Sequence, residues 1–261
     1  MASFKITLAY DGAQFCGWQL QPNQRTVQGE LERAWREITG ETARMCAAGR
    51  TDAGVHAAGQ VASVESATQI PPRSLVLALN ARLPSDAAVR AIELAPDGFH
   101  ATHDAKFKRY RYSIYNDPRR PVIVRGHAWH IPTPLDLRAM QAAGQRLVGM
   151  HDFVSLQSAG SERESTVRTI FAVEVERAGE GARNAARTPV IDDERDALIT
   201  IDVEGDGFLY NMVRTIAGTL VEVGRGKRSP EWVAEVLAAK DRSAAGQTAP
   251  AHGLSMLWVA Y

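Results

Sequence analysis

The sequence predicts an α+β protein built as two domains of similar plan, residues 1–105 and 106–261. Two observations carry that prediction. Segments of period-2 alternation interleave with runs at helical spacing in both halves, which is the order of mixed layered folds. The 261 residues are also enough to bury two half-size cores.

In the first half, Phe4, Ile6, Leu8 and Tyr10 alternate with Lys5, Thr7 and Ala9, so a strand is expected there, ended by Asp11-Gly12. From Thr26, the residues Val27, Leu31, Ala34, Trp35 and Ile38 recur at helical spacing until Gly40 supplies a stop. Residues 43–48 and 59–65 read as strands around a loop, Pro71 to Arg82 as a helix, and Ala87 to Leu94 as a strand.

The second half repeats the rhythm without a visible sequence repeat. Phe107 to Asn116 is expected as a strand, and Thr133-Pro134-Leu135-Asp136 as the start of a helix with a capping side chain and Pro in its first turn. Thr169 to Glu176 and Ala197 to Glu204 read as strands, Tyr210 to Val223 as a helix, Ser229-Pro230 as the opening of another, and Leu254 to Ala260 as a last strand. Residues 178–196 lack periodicity and carry Asp192-Asp193-Glu194, so a mobile surface loop is expected.

Composition narrows the function classes. Thirty Lys plus Arg balance thirty Asp plus Glu, so a nucleic-acid partner would need a local basic patch. Cys16 and Cys46 are too few for a disulfide framework, and Met1-Ala2-Ser3-Phe4-Lys5 has no secretory apolar run, so a reducing cytoplasm is the expectation. No apolar run nears the length of a membrane span.

Ala48-Gly49-Arg50-Thr51-Asp52-Ala53-Gly54-Val55-His56-Ala57 sets one acid among small residues beside one Arg. Gly49 and Gly54 permit close approach, so a substrate can reach Asp52 as a nucleophile, and Arg50 points the same way in an extended segment. The same spacing also fits a plain turn in which Asp52 caps backbone amides. Lys106-Phe107-Lys108-Arg109-Tyr110-Arg111-Tyr112 interleaves basic and aromatic residues, and alternation puts Lys106, Lys108, Tyr110 and Tyr112 on one face. That face suits phosphates and stacked bases, or is an ordinary strand with one wet side. Arg214 stands among apolar residues of a predicted helix, where it needs either an anionic partner or solvent. His100-Ala101-Thr102-His103 and His127-Ala128-Trp129-His130 fall in segments read as extended, where residues three apart face opposite ways, so no metal is expected. Gly226-Lys227-Arg228 lacks the first glycine and the hydroxyl of a phosphate loop.

The string from Gly49 to Ala57 resembles the signature of the TruA-type tRNA pseudouridine synthases. So do Asn80-Ala81-Arg82-Leu83-Pro84, Tyr110-Arg111-Tyr112-Ser113-Ile114-Tyr115-Asn116, His151-Asp152-Phe153 and Lys240-Asp241-Arg242. Thr102 departs from the Arg usual in that family. The resemblance implies two ferredoxin-like domains flanking a cleft, and isomerisation of uridine at positions 38 to 40 of the tRNA anticodon arm. It implies Asp52 as nucleophile, Arg214 paired with it, Tyr110 against the target base, Arg50 in the vacated stack, and RNA contacts from Lys106, Lys108 and Arg111. It further implies a homodimer acting on tRNA with no cofactor and no metal. The alternative is a non-catalytic RNA-binding or RNA-chaperone protein, whose binding would survive loss of Asp52. A phosphotransferase using Asp52 as acceptor ranks last, having no nucleotide loop or Mg²⁺ carboxylate cluster.

Overall fold

The structure, a computed structural model, describes residues 1–158, 160, 165–178 and 194–261. The chain divides into two compact units, Met1–Lys108 with Ser255–Tyr261, and Arg109–Leu254. The sequence reading carries the second domain to residue 261, whereas the last strand groups with the first unit. Periodicity reports that a strand exists but not its partner, which is set by backbone groups far away in the chain.

The first unit runs β1 (Ala2–Tyr10), α1 (Val27–Thr39), β2 (Cys46–Ala47), β3 (His56–Ser66), α2 (Pro72–Asn80) and β4 (Ala87–Ala95). β1 pairs antiparallel with both β3 and β4, and β2 pairs antiparallel with β3. The resulting order, 4-1-3-2, is the ferredoxin-like plan. β10 (Leu254–Ala260) joins the start of β3 in parallel, with Ser255 opposite His56.

The elements form where the sequence asks for them. Thr26 accepts the Gly29 amide at 3.2 Å to cap α1, and Gly40 closes that helix in the left-handed region. Phe4, Ile6 and Leu8 of β1, Leu31, Ala34 and Trp35 of α1, and Leu75 and Leu79 of α2 are all buried. Phe4 and Trp35 meet edge to face at 5.9 Å. Each such large apolar side chain contributes about 1.5–3 kcal/mol by leaving water.

The second unit contains β5 (Phe107–Tyr115, entering it at Arg109), β6 (Trp129–His130), α3 (Leu137–Gln145), β7 (Gly149–Asp152), β8 (Val167–Arg177), β9 (Leu198–Gly205), α4 (Met212–Gly224) and α5 (Trp232–Ala239). Its sheet order is β5-β9-β8-β7, with β6 beside β5. Ile199, Ile201 and Val203 of β9, Met140 and Ala143 of α3, and Ile216, Ala217 and Leu220 of α4 fill its core.

Several expectations are corrected. Asp136, not Thr133, caps α3 by accepting the Ala139 amide at 3.0 Å, which leaves Pro134 outside the helix. β6 and β7 are too short to show a period. His100 and His103 do not lie in an extended segment: a turn brings their rings to 4.2 Å, although no third ligand group joins them among the described residues. Of the segment read as a mobile loop, residues 179–193 lie outside the described residues. Glu194, at its far end, is buried and accepts the amides of Val122, Ile123 and Val124 at 2.8–3.2 Å.

Candidate active site

The loop from Ala48 to Val55 connects β2 to β3 in the first unit. At its tip the Val55 amide donates to the Asp52 carbonyl at 3.1 Å, and Gly54 has φ +80°. This is the geometry of a type II turn, in which only glycine takes the third position without strain. The half-buried Asp52 carboxylate is therefore carried on a turn of defined shape.

The turn is braced at the residues before it. The Thr51 carbonyl accepts the Trp18 amide at 2.9 Å. Gly17, at φ +86°, allows this approach, because a Cβ there would stand 2.6 Å from the Thr51 carbonyl oxygen. The Thr51 hydroxyl lies 2.7 Å from the Tyr10 hydroxyl, and Gln60 donates to the Gly49 carbonyl at 2.8 Å. Burial pushes the Tyr10 pKa up to about 12 against the hydrogen bonds of Thr51 and Gln60, so the phenol stays protonated. Arg50 is exposed beside this frame.

Just past the turn, His56 is buried with Nδ1 3.0 Å from both the Gly12 amide and Asp11 Oδ1. A neutral ring accepts from Gly12 there, and a protonated one donates to Asp11. Lys108 donates to the Ala48 carbonyl at 2.6 Å, at the start of the same loop, while Lys106 is exposed. Thr102, the departure from the resembled pattern, donates to the Ala47 carbonyl at 2.6 Å.

In the second unit, Tyr110 is buried on β5 with its ring edge-on to Phe208 at 5.1 Å. Arg214 sits half-buried in the first turn of α4, where Nε donates to the Ala249 carbonyl and Nη1 to Asn211 Oδ1, each at 2.7 Å. Two contacts thus hold the guanidinium at the amino end of a helix, the end whose dipole already favours an anion. Tyr112 is buried below it and donates to the Pro250 carbonyl at 2.8 Å; burial pushes its pKa far up despite the nearby Arg214 charge.

The structure does not put Arg111 on the face of Lys106 and Lys108. Strand alternation turns it to the opposite side with Arg109, where its guanidinium grips buried Asp202 by two bonds of 2.7 and 2.8 Å. Arg109 shares Asp202 at 2.9 Å and also reaches Glu174 and Glu204, so this face is a compensated ionic network. Asp52, Arg50, Lys106 and Lys108 belong to the first unit, and Tyr110, Arg111 and Arg214 to the second. Sequence reading gives Tyr10 only as a strand residue and Thr51 only within the Asp52 string, assigns neither a role beneath the turn, and passes over Gln60. The inward phase of β1, which points Tyr10 to the core, was the available signal.

The chain matches a family described as tRNA pseudouridine synthase over residues 6–104 and 143–261. It is 46% identical over 261 residues to tRNA pseudouridine synthase A of Brevibacillus brevis, covering all of both chains. It is also 46% identical over 264 residues to tRNA pseudouridine synthase A of Moorella thermoacetica, again covering all of both. The protein of that name from Halalkalibacterium halodurans is 45% identical over 255 residues, or 97% of this chain and 90% of the relative.

Proposed function

Because this chain belongs to the tRNA pseudouridine synthase family, we propose that it isomerises uridine to pseudouridine in the anticodon arm of tRNA, at positions 38 to 40, with Asp52 as the catalytic nucleophile. The observation that supports Asp52 best is its place on a braced type II turn, half-buried and close behind an exposed Arg50. A carboxylate there suits a reaction that breaks and remakes a glycosidic bond, since it can add to C1′ as an anion and leave again.

In this reading the Asp52 carboxylate bonds to C1′ as the N1–C1′ bond breaks, and the electron pair goes to uracil N1. The freed base turns, C5 bonds to C1′, and the carboxylate departs. C5 then loses its proton while N1 gains one, so the sum is an isomerisation with no cofactor and no metal. Arg214 pairs with Asp52 and keeps it ionised. Tyr110 packs on the target base, and Arg50 fills the stack that the flipped nucleotide leaves. Lys106 and Lys108 contact phosphates, Arg111 joins them where tRNA displaces Asp202 from it, and the protein acts as a cytoplasmic homodimer. Among the described residues no helix is long and apolar enough to cross a membrane.

The test is bulk tRNA from a strain lacking the gene. Since the two isomers have equal mass, pseudouridine is mapped after a derivatisation that marks it. Loss of the mark at positions 38 to 40, restored by the wild-type gene and not by Asp52→Asn, is expected. Unchanged marks there would overturn the assignment, and restoration by Asp52→Asn would leave an RNA-binding module in its place.

A further inference from the structure

Gln60 is wholly buried on β3, opposite Leu8 of β1. An amide in that position is costly unless its protons are taken up. One Nε2 proton goes to the Gly49 carbonyl at 2.8 Å and the other to the Tyr10 hydroxyl oxygen at 3.3 Å. The same Tyr10 oxygen lies 2.7 Å from the Thr51 hydroxyl, a bond in which either group can be the donor. Tyr10 and Thr51 are themselves nearly wholly buried. The chain of bonds thus links Gln60, Tyr10 and Thr51, and it ends on the two residues that flank Arg50, directly before Asp52.

We infer that Tyr10, Thr51 and Gln60 are positioning residues that fix the Asp52 turn for the chemical step. This rests on the role proposed above for Asp52. Apolar side chains of the same volume would fill the space between β1, β3 and the loop, but they would hold it in no one geometry. A buried hydrogen-bonded network does so, because each bond breaks if the loop shifts. The Trp18 amide on the Thr51 carbonyl restrains the same residue through its backbone. The outcome is a carboxylate whose backbone is held before substrate arrives, and a displacement of about 1 Å at such a group costs on the order of 100-fold in rate.

The test uses the full-length protein and tRNA carrying tritium at uridine C5, since forming the new C5 bond releases that hydrogen. Tyr10→Phe and Thr51→Val each remove one hydroxyl with little change of volume. Each is expected to lower kcat about 10- to 100-fold, with KM and tRNA affinity within about threefold of wild type. The double variant is expected to be no slower than the worse single one, as for groups acting in one network. Thr51→Ser, which keeps the hydroxyl, is expected to stay within about threefold of wild type. A fall of less than threefold in both Tyr10→Phe and Thr51→Val, or a loss in Thr51→Ser equal to that in Thr51→Val, would overturn the inference. Asp52→Asn is run beside them. If it is inactive while those outcomes occur, only the positioning role fails; if it is active, the nucleophile assignment itself fails.

Discussion

Replacing Glu194 by Ala should release the loop of residues 121–125 without disturbing the sheets. The carboxylate makes four contacts of 2.8–3.2 Å to three consecutive amides, those of Val122, Ile123 and Val124. A hydrogen bond to a charged group contributes about 1.5–3 kcal/mol, but water reaches these amides once the loop opens, since the Val122 and Ile123 side chains are already exposed. The net loss is therefore about 2–4 kcal/mol, in a region that can open locally. At about 1.4 kcal/mol per decade this is a rise of roughly 30- to 700-fold in exchange of the three amides, read by hydrogen–deuterium exchange. Burial pushes the Glu194 carboxyl pKa up, but the three amide donors outweigh it and hold it below the usual value. A depressed pKa stabilises the folded loop fully above the unfolded value of about 4.3, and this contribution fades as pH falls through the folded value. Protection should thus be flat from pH 5 to 8 and fall at lower pH in wild type only. Wild-type protection in Glu194→Ala would refute the pin.

Three further outcomes are expected. Asp52→Asn should lower turnover by at least about 10⁴-fold while tRNA affinity changes little, because phosphate contacts dominate binding; residual activity within about tenfold of wild type would contradict the nucleophile. Arg214→Leu should move the acid limb of the pH–rate profile to higher pH, since removing a cation raises the pKa of a carboxylate paired with it, and an unmoved profile with normal turnover would refute the pairing. Charge removal at Lys106, Lys108 or Arg111 should flatten the dependence of log K on log salt by up to about 0.7–0.9 for each phosphate left without its cation. Arg111→Gln should also cost stability, because it takes two bonds from buried Asp202, and a salt slope unaltered in all three would put the RNA footprint elsewhere.

Elements with strong local signals were legible in the chain. α1 carries its cap at Thr26, its stop at Gly40 and an apolar stripe ending in Trp35, and each signal acts within a few residues of itself. β1 likewise declares its two faces. The strand expected over 43–48 is present but shorter: β2 holds two residues, Cys46 and Ala47, because only these find partners, Ser63 and Ala62 on β3. β10 finds its place beside β3 in the same non-local way. The turn at His100 was missed for another reason: its amide is held by the Asp104 side chain at 2.8 Å, and that local bond overrides an extended reading.

The candidate site was legible as residue types and not as pairings. Alternation already separates Lys106 and Lys108 from Arg109 and Arg111, yet the run reads as one basic patch until the far side of the sheet is known. Asp202, 91 residues beyond Arg111, takes up much of its charge, and Glu174 and Glu204 do the same for Arg109. Two arginines facing three carboxylates at close range form a surface with little positive potential to offer a phosphate. In a chain of zero formal charge, positive potential for an RNA must come from groups whose partners are neutral. The ion pair at Arg111 ranks two of the charge-removal variants: exposed Lys106→Gln should change the salt slope more than Arg111→Gln does. The reverse order would mean that tRNA displaces Asp202 from Arg111 on binding.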